Sequence, residues 1–279
     1  MGYSVTDSCE SVGISRSHYY ERINGTTPRK KRTRDDSALI DKVKELKTAH
    51  PFWGYRRIRA WLVHREGILI NEKKVRRLMK ENGLVAISHK YRIRRAAATQ
   101  KARASRPHQV WGIDMTKFWI DSFGWAYLVI ILDWYTKKTV GWDLSARSKS
   151  EDWLKALDSA VLNEFPNGTR GHGLKLVSDN GCQPTSTAFM KATATLEIEQ
   201  IYTSFNNPKG NADTERMMRT IKEELIWLND FASFEQAKDA LAHWTDNDYN
   251  KLYVHSALGY RSPEEFAKQF DEIITTKAA

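Results

Sequence analysis

The chain has 279 residues, 41% hydrophobic and 11% aromatic, with a formal charge of +10. That apolar content excludes wholesale disorder, the length suggests about two domains, and the charge points to a polyanionic partner. The charge is lopsided. Residues 1–106 hold 26 Lys+Arg against 10 Asp+Glu, whereas residues 107–279 hold 18 against 24. A basic module feeding a mildly acidic one suits a DNA-binding part joined to a catalytic or regulatory part. Two distant cysteines, Cys9 and Cys182, exclude a disulfide framework and any cysteine-based zinc module. No cationic start leads into an apolar run, so no secretory signal is expected. The longest apolar stretch, Trp125 to Leu132, is too short to span a bilayer, so no membrane partner is expected.

In chain order, Ser4–Ile23 has the pattern of a helix-turn-helix, with Gly13 in the turn and Ser15 capping the second helix. Pro28 to Arg34 (PRKKRTR) reads as a basic linker, which closes a first segment, 1–34. Residues 35–84 predict three helices. Asp35-Asp36-Ser37 opens one that runs to about Lys47. The next covers Tyr55–Arg65, after the break at Pro51 and Gly54. Asn71 caps the third, Glu72–Glu81, and Gly83 stops it. The third helix turns Val75, Leu78 and Met79 inward and Lys73, Lys74, Arg76, Arg77 and Lys80 outward, as a helix that enters a major groove does. Residues 85–106 contain Arg92, Arg94 and Arg95 and no acid, a linker able to track a phosphate backbone.

Residues 107–268 predict an α/β core. Strands are expected at 109–119, 125–135, 138–145, 174–178 and 200–203. Helices are expected at 150–165, 185–196, 212–228 and 234–249, and residues 269–279 form a tail. Three strands followed by alternating helix and strand predict a mixed five-stranded sheet with helices on both faces. In the first of these helices Trp153, Leu154, Leu157, Val161 and Leu162 should face inward. In the third, Met217, Ile221, Leu225 and Leu228 should. The tryptophans at 111, 119, 125, 134 and 142 are expected in the core rather than stacked on bases.

Three carboxylates fall where such a fold gathers ligands. Asp114 lies within the first strand, where a carboxylate is costly unless paired or bound to metal. Asp179 ends the short fourth strand, and Glu215 lies in the first turn of the helix that follows Asn-Asn-Pro-Lys-Gly-Asn. Such hard oxygen donors suit two Mg²⁺ ions, or Mn²⁺ in their place, for in-line displacement at phosphorus. Arg219 and Lys222 share the face of Glu215, four and seven residues on. Asp133 reads as structural, and Asp213 lies on a different helix face from Glu215.

Asp179 and Glu215 have 35 residues between them. Around them stand Trp111-Gly-Ile-Asp-Met-Thr116, Ser178-Asp-Asn-Gly-Cys-Gln-Pro-Thr-Ser186, Asn206-Asn-Pro-Lys-Gly-Asn-Ala-Asp-Thr-Glu-Arg216 and Thr220-Ile-Lys-Glu-Glu224. Two further blocks run from His50-Pro-Phe-Trp-Gly-Tyr-Arg-Arg-Ile58 to Gly83-Leu84 and from His255-Ser-Ala-Leu-Gly-Tyr-Arg-Ser-Pro to Phe266. Together they resemble the second-reading-frame product of the insertion-sequence-three family of bacterial transposases, over nearly the whole chain. The resemblance implies a ribonuclease H-like core with Asp114, Asp179 and Glu215 as catalytic metal ligands. It implies Mg²⁺-dependent cleavage at element ends and attack of the freed 3′-hydroxyl on target DNA. It also implies action as a homo-oligomer on DNA, an upstream-frame partner or fusion, and a cytoplasmic, nucleoid-associated location. Lys222 and Arg219, with Lys209 in the preceding loop, are the expected DNA contacts in the core. His255 is read as capping a turn, not as catalytic. A non-catalytic DNA-binding regulator, or a nuclease that cuts without joining, are the alternatives.

Overall fold

The computed structural model describes residues 4–23, 36–85, 103–203 and 210–278, without the side chains of 271–278. Pro28–Arg34 and most of the 85–106 linker lie outside the described residues. The chain divides into two compact units, 1–42 and 43–279. In the first, α1 (Val5–Ser11) is capped by Ser4, whose Oγ accepts from the Asp7 amide at 3.1 Å. Gly13 takes φ +69° in the turn, a left-handed conformation that glycine adopts without strain. Ser15 Oγ then accepts from the His18 amide at 3.2 Å to start α2 (Arg16–Ile23). Both features match the sequence reading. Helix α3 (Ser37–Ala49) runs across the division.

The second unit continues with α4 (Tyr55–His64) and α5 (Glu72–Glu81). Asn71 Oδ1 accepts from the Lys73 amide at 2.8 Å, the cap the sequence indicated. Val75, Leu78 and Met79 of α5 are buried with Ile58 and Leu62 of α4, an apolar seam that fixes the two helices against each other.

Five strands follow: β1 (Val110–Ile120), β2 (Gly124–Asp133), β3 (Thr139–Ser145), β4 (Lys175–Ser178) and β5 (Glu199–Tyr202). Their order is β3-β2-β1-β4-β5. β1, β2 and β3 pair antiparallel, and β4 and β5 join parallel to β1, so the sheet is mixed and ribonuclease H-like. Residues Trp111, Ile113, Val129 and Ile131 turn one face of this sheet onto α6 (Ser150–Glu164) and α7 (Thr187–Thr195), where Trp153, Leu157 and Phe189 meet them. The other face takes α8 (Ala212–Glu224), packed on β1 and β2. Cover on both faces explains why β2 reads as an almost unbroken apolar run.

Two close approaches fix these layers. A Cβ on Gly141 of β3 would lie 2.6 Å from the Ala160 Cβ and backbone nitrogen of α6, so only glycine lets that helix settle. At the outer edge of β3, Asn250 bonds Thr139 twice, accepting from its amide and donating to its carbonyl, both at 3.0 Å. That pair covers an otherwise open strand edge. Asn250 belongs to a π-helical segment, Trp244–Leu252, that continues α9 (Phe234–His243); α10 (Pro263–Ala278) ends the fold.

Several expectations need correction. Leu162 is 73% exposed because it lies past the edge of the α6 stripe formed by Trp153, Ala156, Leu157 and Ala160. Leu228 is 39% exposed: α8 stops at Glu224, Leu225 leaves helical geometry at φ −132°, and a 3-10 turn (Ile226–Leu228) swings Leu228 off the buried line. Trp111 and Trp134 are core, but Trp119 and Trp125 are 55% and 48% exposed. They stack edge to face at 5.6 Å near the tip of the β1–β2 hairpin, and Lys117 lies 4.6 Å above the Trp125 ring. Asp133 is structural as read. It is fully buried and accepts from the amides of His108, Tyr135 and Thr136 at 2.6–2.8 Å.

Candidate active site

Asp114 sits in the middle of β1, opposite Ile130 of β2. Side chains alternate across a strand, so Asp114 shares a face with Gly112, the face that receives α8, while Trp111 and Ile113 point to α6. The parallel pairing of β1 with β4 matches Gly112 to Val177. Two residues beyond that last pair stand Asp114 on β1 and Asp179, where β4 has just ended, and the charge of Asp179 acts on Asp114. The mid-strand acid and the strand-end acid are thus neighbours at the carboxyl end of β4, where open α/β sheets offer ligands a crevice.

Glu215 reaches the same place because the start of α8 is clamped onto β1. Asn211 Nδ2 donates to the Ile113 carbonyl at 3.2 Å, and Trp134 Nε1 donates to Thr214 Oγ1 at 3.0 Å. A Cβ on Gly112 would fall 2.0 Å from Thr214 Oγ1 and 2.3 Å from Trp134 Nε1. This glycine therefore admits the helix to the strand at the step before Asp114. Asn211 and Thr214 are buried, whereas Glu215, in the first turn of α8, is exposed to solvent.

A cleft of about 400 Å³ opens over this corner, lined by Asp114, Thr116, Glu215, Met218, Arg219 and Lys222, with Trp227 at its rim. Burial pushes the Asp114 carboxyl up to about 6. The Met115 amide, donating to Oδ1 at 2.8 Å, opposes the shift, Asp179 and Glu215 reinforce it, and Lys222 opposes it. Two acids from two other elements thus act electrostatically on a third. Asp213 lies off this face, 3.2 Å from Lys137 Nζ.

The donor set fits a hard divalent cation: three carboxylates, no thiol or imidazole among them, and a half-buried acid held in an uncomfortable protonation balance. The fit is open. Among the described residues no three His, Cys, Asp or Glu side chains sit close enough to hold an ion as they stand. Asp179 Oδ1 instead accepts from the Gly181 amide at 3.1 Å. Mutual repulsion among three carboxylates with one lysine to offset it gives the physical reason for that spread.

The other sequence-predicted contacts divide. Lys222 and Arg219 line the cleft with Glu215, and Arg219 also bonds Glu223 at 2.7 Å. Lys73, Arg76, Arg77 and Lys80 stand on the exposed face of α5, with Lys74 beside them partly covered; Arg77 pairs with Glu81 at 3.1 Å. Lys209, Arg92, Arg94 and Arg95 lie outside the described residues. His255 begins the 3-10 turn Ser256–Leu258, but its side chain makes no cap bond. It is instead largely enclosed, and burial lowers its pKa to about 4, helped by Lys137, Arg57 and Arg216.

Sequence reasoning missed the groups that hold the acids in place. Gly112 in a strand interior was the available signal for a close approach. Glu224 was visible only as part of a matching block. It falls seven residues after Met217 and three after Ile221, on the buried stripe of α8, and an acid there needs partners. They are Trp53 Nε1 at 2.6 Å and His50 Nδ1 at 2.8 Å, with the Arg57 guanidinium 3.6 Å away.

The chain is similar to integrase-core and insertion-sequence proteins. Two models of the integrase core domain match residues 104–208 and 196–263, and a model of an HTH-like domain matches residues 34–92. The transposase for insertion sequence element IS904 of Lactococcus lactis subsp. lactis is 29% identical over 218 residues, covering 74% of this chain and 84% of that protein. The transposase InsD for insertion element IS2D of Escherichia coli is 26% identical over 278 residues, covering 96% of this chain and 91% of its own. Among solved structures, a simian T-cell lymphotropic virus intasome chain aligns with a TM-score of 0.48 at 17% identity, over 81% of this chain and 74% of that one. The HTLV-2 integrase catalytic core domain in complex with magnesium aligns with a TM-score of 0.44 at 17% identity, over 59% of this chain and 99% of its own.

Proposed function

The chain being a DDE-type DNA transposase of the kind carried by bacterial insertion sequences, with an integrase core and an HTH-like domain, we propose that Asp114, Asp179 and Glu215 are its catalytic acids. The reading is supported by the convergence of three elements: the β1–β4 pairing ends two residues short of Asp114 and Asp179, the clamp on Gly112 holds the start of α8 against β1, and the charges of Asp179 and Glu215 both act on Asp114. The three carboxylates would hold two Mg²⁺ ions, or Mn²⁺ in their place, which would make an attacking hydroxyl or water more acidic and stabilise the leaving oxygen.

The chain's own groups do the rest. Lys222 and Arg219, on the wall of the same cleft, bind the non-bridging oxygens of the strand being cut and fix its line of approach. At an element end, water attacks the phosphorus, the P–O3′ bond breaks, and the end is released as a 3′-hydroxyl. In joining, that hydroxyl oxygen forms a bond to a target phosphorus and loses its proton, while the target's own 3′-oxygen leaves and takes one up. The exposed cationic face of α5, with Lys73, Arg76, Arg77 and Lys80, docks on duplex DNA. The protein acts on paired element ends as at least a dimer, alone or with an upstream-frame partner. The domains divide as 1–34, 35–84, 85–106, 107–268 and 269–279. No described helix is long and apolar enough to cross a membrane; the proposed place of action is the bacterial nucleoid.

The test uses labelled element-end duplexes with Mg²⁺. Asp114→Asn, Asp179→Asn and Glu215→Gln should each abolish cleavage and joining while DNA binding persists. Near-normal joining by any one of them rejects the assignment, and nicks without joined products from the wild type favour a nuclease.

A further inference from the structure

We propose that the groove on the opposite flank of α8 from the acids is a second binding site for phosphodiester DNA, gripping the backbone a few base pairs from the reacting phosphate. The proposal rests on the assignment of Asp114, Asp179 and Glu215 only for that distance. The groove itself is defined independently of them.

Glu215 and Arg216 are adjacent on α8, so their side chains leave the helix about 100° apart. Glu215 lines the cleft over Asp114, while Arg216 lines a separate groove of about 380 Å³, facing the start of α4 and the 3-10 turn Ser256–Leu258. Helix α8 is thus a ridge between two openings, one carrying acids and one carrying arginines.

Three guanidinium groups converge on the groove. Arg56 and Arg57 come from the first turn of α4, and Arg216 from α8. Among the described residues the Arg216 guanidinium makes no ion pair and no hydrogen bond; its carbonyl accepts from Thr220 Oγ1 at 3.0 Å. Arg57 is held in place, 5.0 Å from the Tyr253 ring centre and 3.6 Å from Glu224. Arg56 lies 5.6 Å from the Tyr55 ring centre and makes a long contact, 3.4 Å, with the exposed Glu72. The one acid lining the groove, Glu223, is already engaged by Arg219 at 2.7 Å. Gly54 caps α4 without a side chain, which leaves the positive end of that helix facing the same space. Neutral donors, the Ser256 hydroxyl, Tyr55 and Tyr260, and one exposed apolar ring, Phe52, complete the lining.

Planar guanidinium forks beside hydroxyl donors and an uncapped helix start match the non-bridging oxygens of a phosphodiester, not an apolar ligand. An α-helix with its side chains is about 10–12 Å across, and duplex DNA rises 3.4 Å per base pair. A backbone that crosses α8 from the acids therefore meets the groove about three base pairs away. The element end and the target duplex share this chemistry, and the experiment separates them.

Binding of the full chain to an element-end duplex and to an unrelated duplex is followed by fluorescence anisotropy across a salt series with EDTA, so that no metal-dependent step contributes. The double variant R56A/R216A should bind at least tenfold more weakly near 0.1 M salt and flatten the log–log salt slope by about one to two. Arg216→Lys should restore most of the slope. Thermal melting checks folding. Should the double variant melt early, Ser256→Glu, which adds an anion on the exposed rim, should weaken binding in its place. With Mg²⁺, loss of end cleavage assigns the groove to the element end; loss confined to the joining of pre-cut ends assigns it to the target, and both support the site. Unchanged affinity and slope in a folded double variant overturn it, whatever the outcome for the three acids.

Discussion

Trp53 donates its indole Nε1–H to Glu224 Oε1 at 2.6 Å, tying the loop before α4 to the last residue of the helix that carries Glu215 in its first turn. His50 stacks on the Trp53 ring at 3.8 Å and reaches the other oxygen of the same carboxylate at 2.8 Å. Glu224 is almost fully enclosed, with 3% of its side chain exposed, so its charge relies on these partners. Glu224→Ala strands a buried indole N–H and the nearby Arg57. A cost of about 2–4 kcal/mol is expected, which for a unit of this size lowers Tm by roughly 5–15 °C. Trp53→Phe alone should cost less. Adding it to Glu224→Ala should cost little more, because both remove the same bond. A Glu224→Ala protein melting within a degree of wild type, or strict additivity of the pair, rules out the clamp.

Gly112→Ala is the sharpest test of how Glu215 is positioned. The added methyl would overlap Thr214 Oγ1 and Trp134 Nε1, both far inside bonding contact, and both belong to packed, immobile neighbours. Relief requires the start of α8 to move off β1. Overpacking of this kind costs about 1–3 kcal/mol, yet a shift near 1 Å at a reacting centre costs on the order of 10²-fold in rate. Cleavage should therefore fall far more than Tm. Wild-type cleavage rates in Gly112→Ala would show that the helix start need not touch the strand.

What was legible in the sequence, and what was not, follows the range of the forces involved. Caps at Ser15 and Asn71 are local, set by a side chain and an amide two or three residues on, and both form as read. The strands and the α8 face that carries Glu215, Arg219 and Lys222 follow from periodicity. Leu228 failed because a period read past Glu224 assumes a helix that Leu225 ends. Trp119 and Trp125 failed because burial depends on cover, and the hairpin tip runs beyond the neighbouring strands: β3 pairs with β2 only from Tyr127 onward, and β4 with β1 only as far as Gly112. The bond from Trp53 to Glu224 joins residues 171 apart in sequence, and no local pattern encodes it.

Asp114 makes the metal-free protein sensitive to pH in a definite direction. Its folded pKa, about 6, lies above the ordinary carboxylate value of 3.8, so between those values the folded state holds the proton more tightly. Stability is therefore highest below the unfolded pKa and is lost as pH rises through the folded one, by at most about 3 kcal/mol. With EDTA present, Asp114→Asn should melt above wild type at pH 7.5 and close to it at pH 4. Mg²⁺ should raise the wild-type Tm, increasingly so as pH climbs through 6, and should leave the variant unmoved. Equal Tm values for the two proteins at pH 7.5 would place Asp114 in open water rather than in a desolvated site.

His255 makes the opposite prediction. Burial holds its folded pKa near 4, below the ordinary imidazole value of 6.5; Lys137, Arg57 and Arg216 push the same way and Asp213 against. The unfolded chain binds the proton more readily across that window, so the stability contribution is intact above about 6.5 and drains away as pH falls toward 4, by up to about 3 kcal/mol. The Nδ1 atom is buried with no hydrogen-bond partner among the described residues, so replacing the ring by an apolar group of similar volume leaves no stranded donor. His255→Leu should match wild type within about 1 kcal/mol at pH 7.5 and exceed it by pH 5. Melting curves at half-unit intervals between pH 7.5 and 4.5 read the difference directly. Parallel pH profiles for the two proteins would mean that His255 takes up its proton as readily folded as unfolded.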